Sequence, residues 1–361
     1  MNDNWTYRAS QQWRTRPDDE RFLSLDEMLE HFEAVRANSA ARVVANRRIV
    51  AMPEDDNQGM VIEVDDERMA PTHFSFGQLA NLADAPAGYL RKLPSPIAAD
   101  CVNYGLQFRR DIEEVGLLSY KNGGPPTLRA ATGPRYGRIW NAPIVEALIR
   151  QFGDGVSGDG FRVPGEFGME VPITRQNTTL YASDRDMFVF LADERNRIEV
   201  PNRRDGKTGS LARGFFVWNS EVGDKTFGLA KFLMDFACMN RIIWGGQDYE
   251  EITIRHTASA PQRFIEEIAP ALESYAKSST MTVTQAIEDA RSKRLDDVDS
   301  FLKNRFGARL VDTIKATHQL EEGRPIETVW DAVTGITAYA KSIQHQDARI
   351  AVEREAGKLL V

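Results

Sequence analysis

Apolar side chains recur at helical spacing at Leu25, Met28, Leu29, Phe32 and Val35. They stand directly behind Ser24, whose partner Glu27 three positions on completes a capping-box signature. The pattern predicts a short amphipathic helix. Between Glu54 and Glu67 stand seven acids and no base, which reads as a solvated loop or hairpin with Met60–Val64 as its strand. The segments Phe76–Ala83 and Pro86–Pro94, interrupted by Gly and Pro, predict two short helices. Residues 1–99 are therefore expected to form a helical region with one short strand or hairpin.

The texture changes between 100 and 260. Val115–Tyr120, the turn Asn122–Pro126 and Thr127–Thr132 read as strand, turn, strand. Asn141 then reads as a helix N-cap, with Pro143 in the first turn and Ile144, Val145, Leu148, Ile149 and Phe152 at helical spacing behind it. Thr178–Ala182, the turn Ser183–Asp186 and Met187–Leu191 predict a second hairpin, and Gly214–Trp218 a further strand. These strands are expected to share one sheet. Phe227–Met239 is almost continuously apolar and too short for a bilayer, and predicts a core helix packed on that sheet. From 261 to 361 only amphipathic helical patterns remain, among them Phe264, Ile265, Ile268 and Leu272, and later Val329, Val333, Ile336 and Tyr339. The chain as a whole reads as α+β, with a central, mostly antiparallel sheet and packed helices in 100–260 and a helical C-terminal region.

Composition narrows the function classes. With 361 residues, 42% hydrophobic and 27% charged, the chain can bury a core without disulfides or a structural metal. A net charge of −8 excludes the uniformly basic surface of a histone-like binder and leaves room for a local basic groove. Cys101 and Cys238 lie far apart in apolar contexts, the pattern of reduced, packed thiols, which favours a cytoplasmic location. The sequence opens without a basic and then apolar leader and holds no run of about eighteen apolar residues, so neither secretion nor membrane spanning is predicted.

Enzymatic motifs are few. Asp205-Gly206-Lys207-Thr208 looks like the end of a phosphate-binding loop, but the pattern requires glycine at the position held by Pro201, which has no N–H for a phosphate. The same tetrad sets Asp205 two positions before Lys207, a spacing found in metal-dependent nucleases, with Asp184, Asp186 or Asp193 as further metal ligands. In a Gly-bounded turn these are equally solvated turn charges. His31, His73, His256, His318 and His345 have no partner at three- or four-residue spacing, and no Gly-x-Ser-x-Gly surrounds Ser220. No cofactor, metal site or catalytic residue is predicted.

Basic residues give a stronger signal. Between 107 and 140 stand Arg109, Arg110, Lys121, Arg129, Arg135 and Arg138, with Tyr120, Tyr136 and Trp140 interleaved. Between 195 and 213 stand Arg195, Arg197, Arg203, Arg204, Lys207 and Arg213, against Glu199 and Asp205 alone. Guanidinium forks suit phosphate oxygens and flat rings suit unstacked bases, so the mixture fits tracking of a single nucleic-acid strand. Arginine-rich turns at sheet edges are also ordinary solvated caps, and the two readings stand side by side. Asn219-Ser220-Glu221-Val222-Gly223, between a strand and the expected buried helix, is read as that helix's cap or as a turn presenting Glu221.

Three segments carry a family resemblance. Leu128–Asn141 with its Arg135-Tyr136 pair, Phe216–Gly223 with the apolar stretch up to Asn240, and Thr328–Thr337 with Glu353–Gly357 resemble the phage- and plasmid-related family of unknown function numbered nine hundred and thirty-two. They do so in order and across most of the chain. Asn219-Ser220-Glu221-x-Gly223 is the most specific element; Thr132-Gly133-Pro134 departs from a Ser-Asp type dipeptide before Arg135-Tyr136. The resemblance implies a mobile-element protein. The strand, hairpin and helix order is similar to the β-β-β-α core of single-strand annealing recombinases, an analogy of fold alone. The resulting expectation is a non-enzymatic phage or plasmid protein of the host-cell cytoplasm. It would bind single-stranded DNA, with RNA an open competitor, as a homo-oligomer that promotes annealing in recombination or replication. Arg129, Arg135, Arg138 and Arg195–Arg204 would hold phosphates, and Tyr136 and Trp140 would stack on bases. Two alternatives are a protein that binds a host defence or replication protein, with Glu54–Glu67 as a nucleic-acid mimic, and the metal-dependent nuclease.

Overall fold

The computed structural model describes residues 18–54, 59–109, 111–157, 160–163, 172–176, 178–193, 195–201, 203, 206–235, 240–243, 252–277, 280–343 and 346–360. Arg110, Arg204, Asp205, Cys238 and His345 lie outside them. The chain enters through α1 (Leu25–Ala37), capped as the sequence predicts by Ser24 Oγ, which accepts from Glu27 N at 3.1 Å. Two sheets follow. The first has six strands in the order β1-β5-β6-β4-β3-β2. They are β1 (Ser39–Ala45), β2 (Val50–Pro53), β3 (Met60–Val64), β4 (Glu67–Pro71), β5 (Glu114–Tyr120) and β6 (Thr127–Thr132). β4 runs parallel to β6 and the other neighbours are antiparallel. The acidic stretch does form a hairpin: Asp65 and Asp66, at φ 53° and 66°, make the two-residue turn between β3 and β4 in the left-handed conformation such turns need.

Helices α2 (His73–Leu82), α3 (Ala87–Leu90) and α4 (Ser95–Phe108) cover this sheet, packing Leu79, Leu90, Val102 and Leu106 against Ile62, Met69, Leu117 and Leu128. Two expectations are corrected here. Residues 1–99 contribute four strands rather than one hairpin, and the strands after 100 do not share one sheet, because β5 and β6 pair with β1 and β4. The cause is visible in β1, an edge strand that buries only Val44 and so lacks the apolar alternation of a half-buried strand.

The second sheet has eight strands, all antiparallel. Its path is β13 (Asn240–Ile243), β12 (Phe227–Asp235), β11 (Gly209–Asn219), β9 (Met187–Asp193) and β7 (Phe161–Arg162). β8 (Leu180–Ala182) pairs with β9, β10 (Ile198–Val200) with β11, and β14 (Ile252–Ile254) with β12. The helix expected at Phe227–Met239 is a strand over Phe227–Asp235; residues 236–239 lie outside the described residues. β12 is buried on both faces: Phe227, Leu229 and Leu233 join the main core, while Ala230, Phe232 and Met234 pack with Tyr181, Phe188, Phe190 and Phe216. Burial on both faces makes the run continuously apolar, and hydrophobicity alone then no longer separates strand from helix. The decisive residue is Gly228, opposite Trp218 on β11, where an added Cβ would lie 1.9 Å from the indole.

The main core is closed by α1, α5 (Asn141–Phe152) and the C-terminal helices. These are α6 (Ala260–Arg263), a π-helical turn (Phe264–Ile268), α7 (Ala269–Lys277), α8 (Met281–Ser292), α9 (Val298–Phe306), α10 (Ala308–Glu322), α11 (Val329–Ala340) and α12 (Gln346–Gly357). The chain is α+β with a helical C-terminal region, as expected. Among the described residues no helix is long and apolar enough to cross a membrane.

Candidate functional site

β11 ends at Asn219, and the next four residues splice the two sheets together. Asn219 Nδ2 donates to Ile139 O at 2.8 Å and to Asn141 Oδ1 at 2.7 Å. Ser220 Oγ donates to Arg185 O and accepts from Gly223 N and Asp224 N, closing the turn on itself. Gln78 of α2 donates to Val222 O and accepts from Ala131 N of β6, so one side chain bridges segment and first sheet. Val222 packs on Leu118 and Ala130 of that sheet.

Glu221 is the centre of the splice. Its carboxylate is 2% exposed and accepts from Arg129 Nη2 at 3.0 Å and from the backbone N–H of Asn141 at 2.9 Å. It thus caps a helix, α5, through opposite partial charge at a helix N-terminus. Two expectations are corrected by this. The segment caps α5 rather than a helix at 227–239, and Asn141 is not an N-cap, since its side chain is taken by Asn219.

Beside the splice runs a strip of alternating rings and guanidinium groups. Arg36 of α1 lies 5.6 Å from the Trp140 ring centroid, Arg138 lies 5.7 Å from Trp140 and 5.2 Å from Tyr136, and Tyr136 stacks on His256 at 4.8 Å. Tyr136 is anchored by its hydroxyl, which donates to Ser220 O at 2.9 Å. Gly137 locks the strip to the loop after β14: its N–H donates to His256 O at 3.0 Å, and an added Cβ would lie 1.7 Å from Thr257 O. A hollow of about 720 Å³ opens here, lined by Gly133, Pro134, Arg135, Tyr136 and His256–Ser259, with the exposed Arg135 among its walls.

Electrostatics distinguish Arg138. Its Nη1 is buried with no hydrogen-bond partner among the described residues, and burial depresses its pKa. Glu221, the acid that acts on it, is already held by Arg129. Burial pushes the Tyr136 phenol up and the His256 imidazole down, which favours the neutral form of both rings. The strip therefore offers a cation without a bound carboxylate between two neutral aromatic faces.

The remaining expected residues scatter. Arg109 makes a two-pronged pair with Asp111 at 2.8 Å, Arg110 and Arg204 lie outside the described residues, and Lys121 and Lys207 are exposed in turns. Arg195 and Arg197 are exposed between β9 and β10, where Arg195 lines a second hollow of about 570 Å³ with Gln151, Phe161 and Asn196. Three of the expected nucleic-acid contacts are corrected. Arg129 is spent on Glu221; Arg203 is buried against Asp235 at 2.7 Å and against Glu322; Arg213 is buried against Asp193 at 3.1 Å. A guanidinium closed in by its own carboxylates has no fork left for a ligand. The proposed nuclease ligands fare no better: Asp193 serves Arg213 and Asp186 accepts from Ser183 Oγ, and among the described residues no acidic or histidine cluster fits a metal ion. Arg36 and His256 were missed by sequence reading, being remote in the chain from Tyr136 and Trp140.

No family model, curated protein or solved structure matches this chain.

Proposed function

We propose that the protein binds single-stranded nucleic acid, DNA in the first instance, along the strip Arg36–Trp140–Arg138–Tyr136–His256, with Arg135 at its edge. The observation that carries the reading is Arg138, a half-buried cation with no carboxylate in hydrogen-bond contact among the described residues, held between two rings. Phosphate oxygens accept from such a fork, and bases stack on neutral rings beside it. The acidic remainder of the chain limits binding elsewhere. No bond is broken in this activity; coating and annealing of strands need only that the phosphates be held while bases stay available. This is the mobile-element role that the family resemblance implies.

The test is fluorescence anisotropy with single- and double-stranded oligonucleotides across a salt series, with and without magnesium. The expected result is salt-dependent preference for the single strand without cleavage. Arg135→Ala and Arg138→Ala each weaken binding and flatten the dependence of log affinity on log salt by about 0.7 per lost phosphate contact. Absence of binding at low salt, or an unchanged slope in both variants, discards the reading; tighter binding to RNA of the same sequence reassigns the ligand.

A further inference from the structure

Helix α4 is apolar on both sides. Ala98, Ala99, Val102 and Leu106 are buried under the first sheet, while Ile97, Tyr104 and Phe108 recur at spacings that align them along the opposite face, with Cys101 half-buried at its border and also touching the core. Ile97 is 50%, Tyr104 67% and Phe108 62% exposed, and the last two rings pack on each other at 4.5 Å. Asp100 is the only charged residue in the helix. An outer helix face is ordinarily polar, and a continuous apolar stripe there marks a contact surface.

We propose that this stripe joins two copies of the chain, the two α4 helices crossing antiparallel about a two-fold axis. Self-complementarity selects a second copy as the occupant. The N-terminal half of the stripe carries the smaller Ile97 and Cys101, and the C-terminal half carries the two rings. A two-fold axis between Cys101 and Tyr104 sets Phe108 on the partner's Ile97 and Tyr104 on the partner's Cys101. Flanking charge is polarised in the same sense. Exposed Arg91 and Lys92 precede the helix; past its C-terminal end Arg109 and Asp111 neutralise each other, Arg110 lies outside the described residues, and exposed Glu113 and Glu114 follow. Antiparallel pairing brings base against acid at both ends, and a parallel one brings like against like.

Area sets the strength. At about 200 Å² for each ring and somewhat less for isoleucine, the stripe presents roughly 350 Å² per copy. Two stripes with their polar flanks reach the small end of specific interfaces, about 1,200 Å² in all. The dimer is accordingly placed at the weak, reversible end of specific association.

Sedimentation velocity on the full chain without nucleic acid, from about 1 to about 200 µM, reads it directly. The expected result is a monomer–dimer equilibrium whose dissociation constant rises at least about 30-fold in Tyr104→Glu/Phe108→Glu, positions exposed enough to leave the fold intact by circular dichroism. A second variant fixes the register. Tyr104→Cys forms a covalent dimer with the partner's Cys101 on mild oxidation, and adding Cys101→Ser abolishes it. A chain that stays monomeric at the highest concentration, as it would if a different protein covered the stripe, overturns the proposal. So does a dimer indifferent to both glutamates, or the lack of a Cys101-dependent crosslink.

Discussion

Replacing Glu221 by Gln removes the single negative charge on which the splice between the two sheets depends. In the native protein two donors converge on this carboxylate, Arg129 Nη2 at 3.0 Å and Asn141 N at 2.9 Å, and the side chain is 2% exposed. A carboxamide has one acceptor oxygen, so one donor loses its partner and the amide's own N–H₂ is turned toward it. Breaking one side of a buried, hydrogen-bonded ion pair costs about 3–5 kcal/mol. Arg129 retains an 11% exposed side chain, so water can reach part of it and the lower half of that range applies, about 3 kcal/mol. Arg129→Met leaves the opposite defect, a buried carboxylate still facing the N-terminus of α5, and costs about 2 kcal/mol because the helix keeps one favourable partner. The double variant removes both charges. Its loss is expected to fall short of the summed single losses by at least about 1.5 kcal/mol. Urea unfolding of the four proteins at pH 7, followed by tryptophan fluorescence, gives the cycle. Single losses below about 1 kcal/mol that simply add would mean that water screens the pair and that the splice rests on Asn219, Ser220 and Gln78 instead.

Arg203→Met strands Asp235 and Glu322, 0% and 3% exposed, and should lower stability by about 3–5 kcal/mol in the same assay, against less than about 0.5 kcal/mol for the exposed Lys207→Met. Burial pushes the Glu322 carboxyl up, but Arg203 outweighs it and the folded value lies below the ordinary one. The stability it contributes is therefore present above about pH 4.5 and is lost as pH falls through the folded value. His318 acts earlier: burial keeps its imidazole neutral in the fold while the unfolded chain takes up a proton below about pH 6.5. Stability should thus start to fall near pH 6.5 on acidification, and His318→Gln should flatten that limb; an unchanged limb would assign it to His31 and His256.

Much of the architecture was legible because local pattern and tertiary environment agreed. The Ser24 cap and the apolar spacing of α1 and of Phe264–Leu272 mark elements with one buried face, which is what periodicity reports, whereas the β8–β9 hairpin, buried on both faces, was marked by its turn at Ser183–Asp186. Where burial was two-sided or nearly absent, hydrophobic alternation carried no signal. β12, buried on both faces, lost its alternation, and β1, at a sheet edge, never had one. Gly228 was the available clue: a glycine within an apolar run weakens a helix and, under a cross-strand indole, suits a strand. Nothing local shows that the chain returns from α4 to pair β5 with β1, since strand partnership is decided between segments.

The charge clusters in the sequence overcounted the cations free of carboxylate partners, for an electrostatic reason. Six bases against two acids between 195 and 213 suggested a cluster poised for phosphate. The acids that neutralise it come from elsewhere, Asp235 from the end of β12 and Glu322 from the end of α10 for Arg203, and Asp193 for Arg213. Local charge counts treat every arginine as solvated, whereas this fold buries Arg203 and Arg213 against carboxylates remote from or outside the counted window. Arg129 found Glu221 across 92 positions, and the same carboxylate, both oxygens taken by Arg129 and the Asn141 N–H, acts on Arg138 only through space. The two follow from one arrangement: the segment at Asn219–Gly223 consumes Arg129 in holding the sheets together, and leaves Arg138, between Tyr136 and Trp140, without a carboxylate in hydrogen-bond contact among the described residues.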